Sequence, residues 1–466
     1  MIKPIAHGFK IQIVVASYSQ RKSRGPLGIV GANRQCTRHS AVHEDSDATS
    51  DMSTMAGYFP WSRKYKTGCS LSELNRSAKG NSVIRVMHVI TDLDIGGAEV
   101  MLAKLIGATD LSRFNLSVLS LKRKGVVAGQ IERLGIPIFE LNLNRPFSSP
   151  RAILKFREVL SRQTPEVIQG WMYHGNLAAS VLHFLNPDDL PVIWNIRHSL
   201  NHLHQEKSSM RLLIRAGAFY SKRPAAIIYN AHISLNQHEA VGYFPENAHV
   251  IPNGFDLQRF RSDPETRQKM RSQLGVPEDG ILIGLIARYN PMKDHANFLR
   301  AASLMAEKRA NVRFLLIGRN VDNPSSDLTG IIDALGLTDK VIRLGERSDV
   351  VPFYAALDMA SLSSAYGEGF PNFIGEAMAC RVPCVVTDVG DCRRLVGDTG
   401  IIVPVKDPAA LKKGWEKLID MGSVARYNLG LAARKRIHEK FAISKIAGQY
   451  ESLYESFVES RSPEIR

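Results

Sequence analysis

The 466-residue chain contains no apolar run near the ~18–20 residues needed to cross a bilayer. KIQIVVAS near the start is about half that length and lacks a small-residue cleavage site, so it does not read as a signal peptide. Cysteine is sparse: Cys36, Cys69, Cys380, Cys384 and Cys392 form no CxxC pair, and no histidine cluster stands beside them at zinc spacing. That excludes a zinc ribbon or a disulfide scaffold and leaves buried or incidental thiols of a reducing compartment. No G-x-G-x-x-G follows the first strand of either half, which argues against a nicotinamide dehydrogenase.

What is present is an ordinary globular composition, 44% hydrophobic and 23% charged, with a formal net charge of +15. The length is too great for one compact core. About half of the positive excess lies in the first 82 residues, which carry twelve Lys/Arg against five Asp/Glu. A basic surface suits anionic lipid, nucleic acid or phosphorylated substrates, and net charge alone does not choose among them. Residues 1–82 show no sustained period and include the polar stretch HSAVHEDSDATSDMST. They read as a disordered extension or as sequence upstream of the true start, and no function is placed there.

From Val83 the pattern changes. VIRVMHVIT is a near-continuous β-branched run, followed by the loop DLDIGGAE and a segment with Met101, Leu105 and Ala108 at helical spacing. FNLSVLSL, IPIFEL, VIQGWM, PVIWNIRHS and AAIIYNA read as further strands, with helical segments such as RAILKFREVL between them. After HVIPNGFDLQRFRSDPE a second series begins: ILIGLIARYN, VRFLLIGRN, VIRLGER, MASLSS, PCVVTDVG and TGIIVPV. Alternation of this kind predicts an α/β chain of two Rossmann-like, doubly wound domains facing a central cleft. The expected division is 83–258 on the acceptor side, 259–440 binding the nucleotide sugar, and a helix in 441–466. Its stripe of Ile443, Ile446, Tyr450, Leu453, Tyr454 and Phe457 packs back on the first domain.

The densest chemistry lies in YGEGFPNFIGEAMA, where Glu368 and Glu376 are separated by seven residues. Gly367, Gly369 and Pro371 predict a tight loop, with Pro371 as first residue of a helix. That helix would turn its backbone N–H groups and positive dipole end toward a pyrophosphate. Glu376, about one and a half turns on, is placed to accept ribose hydroxyls, and Glu368 to hold hydroxyls of a donor sugar. Arg288 and Lys293 follow the first strand of the second series, where a doubly wound sheet places its ligand groups. From the residues alone, two solvated cations in a loop are an equal reading.

EGFPNFIGE matches the paired-glutamate motif of retaining GT-B glycosyltransferases. With IGGAE, IPNGFD and R-x-x-x-x-K, the chain resembles glycosyltransferase family 4 over about residues 84–457. The resemblance implies transfer of a sugar from a nucleotide-diphosphate donor with retained anomeric configuration, no cofactor and no required metal. It implies that Arg288 and Lys293 neutralise the leaving diphosphate. It places Gly96 and Gly97 beside the donor phosphate and acceptor, and Gly369, Phe370, Pro371, Asn372 and Glu376 around the donor. It implies a histidine near the donor sugar: His174 in WMYHGN, with His198 in WNIRHS as the other candidate. His174, Arg288, Lys293 and Glu368 are thus the expected catalytic set, and His198 and Asn253 line the cleft. Retention without an evident protein nucleophile suggests same-face attack by the acceptor hydroxyl, the departing phosphate taking its proton.

Asp92 and Asp94 raise a competing Asp-x-Asp metal site, against which the glycines and helix that follow at once argue. A GT-B sugar-nucleotide epimerase and a non-catalytic nucleotide-sugar-binding subunit are the rival functions. The acceptor is read as a glycan or lipid-linked glycan of surface polysaccharide or glycolipid synthesis, with no nucleic-acid partner. The basic, apolar segment 205–224 suggests peripheral contact with anionic lipid on the inner face of the cytoplasmic membrane.

Overall fold

The structure, a computed structural model, describes residues 83–143, 150–185, 190–201, 203–324 and 327–461. The reading of 1–82 as an extension, with Cys36 and Cys69, lies outside the described residues.

The first half is a seven-stranded sheet with spatial order β3-β2-β1-β4-β5-β6-β7. Its strands are β1 (Ile84–Ile90), β2 (Phe114–Ser120), β3 (Ile138–Glu140), β4 (Val167–Trp171), β5 (Val192–Ile196), β6 (Ala226–Tyr229) and β7 (Ala248–Val250). Every pairing is parallel, with β1 beside both β2 and β4. The helices are α1 (Gly97–Ala108), α2 (Ala128–Glu132), α3 (Pro150–Gln163), α4 (Met172–Leu185), α5 (Ser208–Tyr220) and α6 (His232–Ala240). β4 and β5 are buried at every position, as expected of strands covered on both faces.

The second half is a six-stranded parallel sheet of order β10-β9-β8-β11-β12-β13. It comprises β8 (Ile281–Ile286), β9 (Val312–Ile317), β10 (Val341–Leu344), β11 (Met359–Leu362), β12 (Cys384–Thr387) and β13 (Gly400–Val403). Its helices are α7 (Pro264–Gln273), α8 (His295–Ala306), α9 (Asp327–Ala334), α10 (Val351–Ala356), α11 (Asn372–Ala379), α12 (Cys392–Val396), α13 (Pro408–Asp420) and α14 (Gly422–Arg436). Sharp starts follow from capping. The Asp263 carboxylate accepts from Thr266 N at 2.8 Å with Pro264 just inside α7, and Asp407 with Pro408 repeats the device at α13. The buried Arg271 of α7 donates to Asp358, whose carboxylate also receives the Leu282 N–H at 2.8 Å, which ties α7 to the start of β8.

The last helix, α15 (Ile443–Glu459), buries Ile443, Ile446, Ala447, Tyr450 and Tyr454 in the core of the first sheet, with Leu453 and Phe457 partly buried beside them. Tyr450 accepts from Asn195 Nδ2 at 2.8 Å, so α15 is tied to β5.

Strand order reverses between β1 and β4 in the first sheet and between β8 and β11 in the second. At such a point neighbouring connections leave to opposite faces and open a crevice beyond the strands' carboxyl ends. In the first sheet α4 begins at once after β4. A Cβ on Gly175 would lie 2.5 Å from the Val89 carbonyl oxygen, so only glycine lets the first turn of α4 press onto β1. His174 therefore sits in the first turn of a helix at the crevice. The strand's backbone bonds end at Trp171, and Met172 takes a positive φ of 59° to start the helix.

Candidate active site

Around the second crevice, the β8–α8 connection carries Arg288 and Lys293, and the β11–α11 connection carries Glu368. The Lys293 ammonium lies 2.5 Å from Glu368 Oε1. The Ser364 hydroxyl donates to the same oxygen at 2.5 Å, and the Glu368 side chain is 7% exposed. Two residues expected to serve different parts of a donor are thus joined to each other. Arg288, on the same connection as Lys293, is exposed.

Pro371 is the cap of α11 rather than its first helical residue. Its ψ of 111° is extended, and the helix starts at Asn372. Asn253 holds this cap from the segment after β7: its Nδ2 donates to the Phe370 carbonyl at 3.1 Å and to Asn372 Oδ1 at 2.7 Å. Arg197, just past β5, donates to Asn253 Oδ1. Burial lowers the pKa of the Arg197 guanidinium, while the Tyr450 hydroxyl beside it works the other way.

Glu376 is engaged at both oxygens. Lys104 of α1 approaches Oε1 at 3.4 Å, and the Tyr354 hydroxyl donates to Oε2 at 2.9 Å. Lys104 is 5% exposed and also lies over the Phe260 ring. Sequence reading missed it, although a lysine on the buried face of AEVMLAKLIGA marked the place. Tyr354 and Ser364 stand in otherwise apolar or small-residue segments and give no comparable mark.

Other contacts join the two halves. The Ser199 hydroxyl, at 3.1 Å from each, is placed to donate its one proton either across the crevice to the Glu368 carbonyl or to Gln237 Oε1 of its own half. Asp391 accepts the His232 and Ile233 N–H groups at 2.8 and 3.1 Å, capping α6 from across the crevice. None of these partners had a sequence pattern of its own.

The β1–α1 loop is more acidic than its glycines suggest. Gly97 opens α1 with nothing close to its Cβ direction, but Gly96 faces the Glu99 carboxylate. Burial raises the Glu99 pKa, helped by Asp92 and Asp94. Asp92 pairs with Lys122 at 3.2 Å. Among the described residues, no three His, Cys, Asp or Glu side chains gather as a metal would need. His174 is partly buried, and its pKa is lowered by burial and then by Lys122. His198 is placed against Tyr173 Oη at 3.2 Å and Glu206 Oε1 at 3.5 Å.

Two parallel doubly wound sheets with their crevices joined by these contacts define the GT-B architecture of glycosyltransferases. Residues 95–259 match the model of Glycosyltransferase Family 4, and residues 280–421 match Glycosyl transferases group 1. The chain belongs to this group 1, family 4 class of glycosyltransferases.

N-acetyl-alpha-D-glucosaminyl L-malate synthase of Bacillus anthracis is 27% identical over 250 residues, 53% of this chain and 62% of that protein. The capsular polysaccharide biosynthesis glycosyltransferase CapM of Staphylococcus aureus is 30% identical over 210 residues, 44% of this chain and 53% of that one. The chain spans about half the length of such curated relatives. Among solved structures, Anabaena Alr3699/HepE in complex with UDP superposes with a TM-score of 0.69 at 22% identity, covering 80% of this chain and 100% of that one. Sucrose-phosphate synthase from Thermosynechococcus elongatus gives 0.65 at 17%, covering 81% and 100%. At these identities the likeness is one of fold.

Proposed function

We propose that the chain transfers a sugar from a nucleotide-diphosphate donor to a hydroxyl of a glycan or lipid-linked acceptor, with retention at the anomeric carbon. The observation that carries this is the Lys293–Glu368 pair at the β8/β11 crevice, directly opposite Ser199 of the other half. Arg288, Lys293 and the first-turn amides of α11 neutralise the departing diphosphate, since those amides have no intrahelical acceptor. Gly369, Phe370, Pro371 and Asn372 bring that turn to the phosphates, with Gly96 and Gly97 opposite. Both bonds to Glu368 fall on Oε1, so Oε2 accepts a hydroxyl of the donor sugar. Glu376 takes the ribose hydroxyls in exchange for Lys104 or Tyr354, and His174 stands by the sugar. As the bond to the diphosphate breaks, the acceptor hydroxyl attacks from the same face and the leaving phosphate oxygen takes its proton. Residues 83–258 serve the acceptor and 259–440 the donor.

HepE has been solved with UDP and with UDP-glucose, which makes these the first ligands to test. A thermal-shift screen of nucleoside diphosphates and their sugars checks the reading. A ligand at a hundred times its Kd stabilises the fold by about 2.7 kcal/mol. A base-selective rise in Tm is expected, and no rise with any nucleotide sugar would overturn the proposal.

The outer face of α5 bears on the acceptor. Leu212 and Phe219 are 69% and 81% exposed, with the exposed Arg215 between them and Lys207 and Lys222 at the ends. Apolar side chains ringed by cations suit an anionic lipid surface, and no helix among the described residues is long and apolar enough to cross a membrane. Flotation with vesicles containing phosphatidylglycerol at low salt is expected to carry the protein upward. Absence of binding there would remove the lipid contact.

A further inference from the structure

Behind the first crevice runs a line of polar contacts, buried at its inner end, that the transfer scheme does not use. His238 Nδ1 lies 2.6 Å from the Ser234 carbonyl oxygen, and its Nε2 lies 2.8 Å from Tyr173 Oη. Tyr173 Oη lies 3.2 Å from His198 Nδ1, and His198 Nε2 lies 3.5 Å from Glu206 Oε1. His238 is fully buried and Tyr173 nearly so, whereas the His198 and Glu206 side chains are 34% and 25% exposed. The line thus runs from the core to an open end.

Its direction follows from proton counting. A carbonyl oxygen carries no proton, so His238 Nδ1 must donate to Ser234. Burial among Tyr229, Tyr243 and Tyr173 lowers the His238 pKa to about 4, so the ring is neutral near pH 7 and its Nε2 is bare. The hydroxyl proton of Tyr173 is then spent on that nitrogen, and the phenol oxygen has only acceptor capacity left for His198. Burial lowers the His198 pKa against the pull of Glu206, so this ring is neutral as well and carries its one proton on Nδ1, with Nε2 bare and turned toward a carboxylate. Two acceptors 3.5 Å apart are satisfied by a group that brings a proton.

We propose that Tyr173 and His238 are positioning residues that transmit the Ser234 carbonyl's demand to His198, holding its Nε2 open beside Glu206 to receive a substrate hydroxyl. The placement fits the site, because the residues next in sequence are already there. Ser199 contacts the Glu368 carbonyl and Gln237, and His174 follows Tyr173. The inference rests on the transferase reading only for the identity of the hydroxyl; the relay itself is a property of the free protein.

The test is nitrogen-15 NMR of the full chain labelled at histidine, without ligand, near pH 8. Wild-type His198 is expected as the Nδ1–H tautomer. Tyr173→Phe removes the acceptor and is expected to give a mixture of tautomers. His238→Phe frees the Tyr173 proton for His198 Nδ1 and is expected to reverse the ring to Nε2–H. This reversal is an outcome that simple loss of packing does not produce. In transfer assays both variants are expected to lose about tenfold in kcat/KM while keeping nucleotide binding. A wild-type Nε2–H tautomer, or a tautomer unchanged in whichever variant folds, would overturn the relay. A correct tautomer pattern in a protein without transferase activity would instead sink the proposed function and leave the relay standing.

Discussion

The two halves share a sheet plan but keep different polar chemistry inside it. The first buries histidines and tyrosines in directional hydrogen bonds: His88 accepts from Trp171 Nε1 at 3.2 Å, and His238 closes the Tyr173 line. The second buries thiols and charge pairs. Cys380, Cys384 and Cys392 are free and buried, with burial pushing each thiol up, and Arg271–Asp358 and Lys293–Glu368 are among its ion pairs. The first half therefore depends on protonation state below neutrality, whereas the second depends on charges that persist through the neutral range.

Acid should break the comparison with the largest effect. Burial lowers the folded pKa of His88 to about 3 and of His238 to about 4, from an ordinary value of 6.5, and among the described residues of the second half only His295 matches them, at about 4. Below pH 6.5 the unfolded chain binds these protons and the folded chain does not. Stability is thus full above 6.5 and falls as pH drops toward 4, by roughly 1.4 kcal/mol per pH unit for each histidine. Urea midpoints from pH 7.5 to 4.5, followed by hydrogen exchange, should show the first sheet opening before the second; simultaneous opening would contradict the contrast.

Next in size is Glu368→Ala. Removing the proposed sugar-hydroxyl acceptor should cut donor turnover by roughly 10²–10³, by analogy with loss of one preorganised catalytic hydrogen bond. Steady-state assays at matched folded fraction check it, and a loss under threefold would move the sugar site elsewhere. Gly375→Ala should act on stability instead. A Cβ there would lie 1.9 Å from the Phe255 ring, and overpacking of that kind costs about 1–3 kcal/mol, read as a lowered urea midpoint. The smallest change is Asp391→Ala. It uncaps α6 from across the crevice and should cost about 1 kcal/mol, with hydrogen exchange quickening at His232 and Ile233.

Much of this fold was legible because buried parallel strands are written as local β-branched runs. VIRVMHVIT, VIQGWM and VRFLLIGRN each became a strand within three residues of the run's ends, and ISKIAGQYESLYESFVES became one helix. Local geometry was less visible. Pro371 has the composition of a helix's first residue yet caps it, and WMYHGN carries no start signal for α4, which Gly175 lets begin without a connection. The motif residues Lys293 and Glu368 were legible as members of a site but not as each other's partners. Lys104 meets Glu376, Ser199 meets Glu368, Tyr173 meets His238 and Asp391 meets His232 across 65 to 272 residues of sequence, and no periodicity records such a meeting.

The central claim is that the β8/β11 crevice receives a nucleoside diphosphate through Lys293. Calorimetric titration of UDP, or of whichever nucleoside diphosphate raises Tm, into the wild type and into Lys293→Met tests it most directly. Loss of one hydrogen bond to a charged group is worth about 1.5–3 kcal/mol, so binding should weaken roughly tenfold to a hundredfold with the fold intact. Equal affinity in the two proteins would contradict the account.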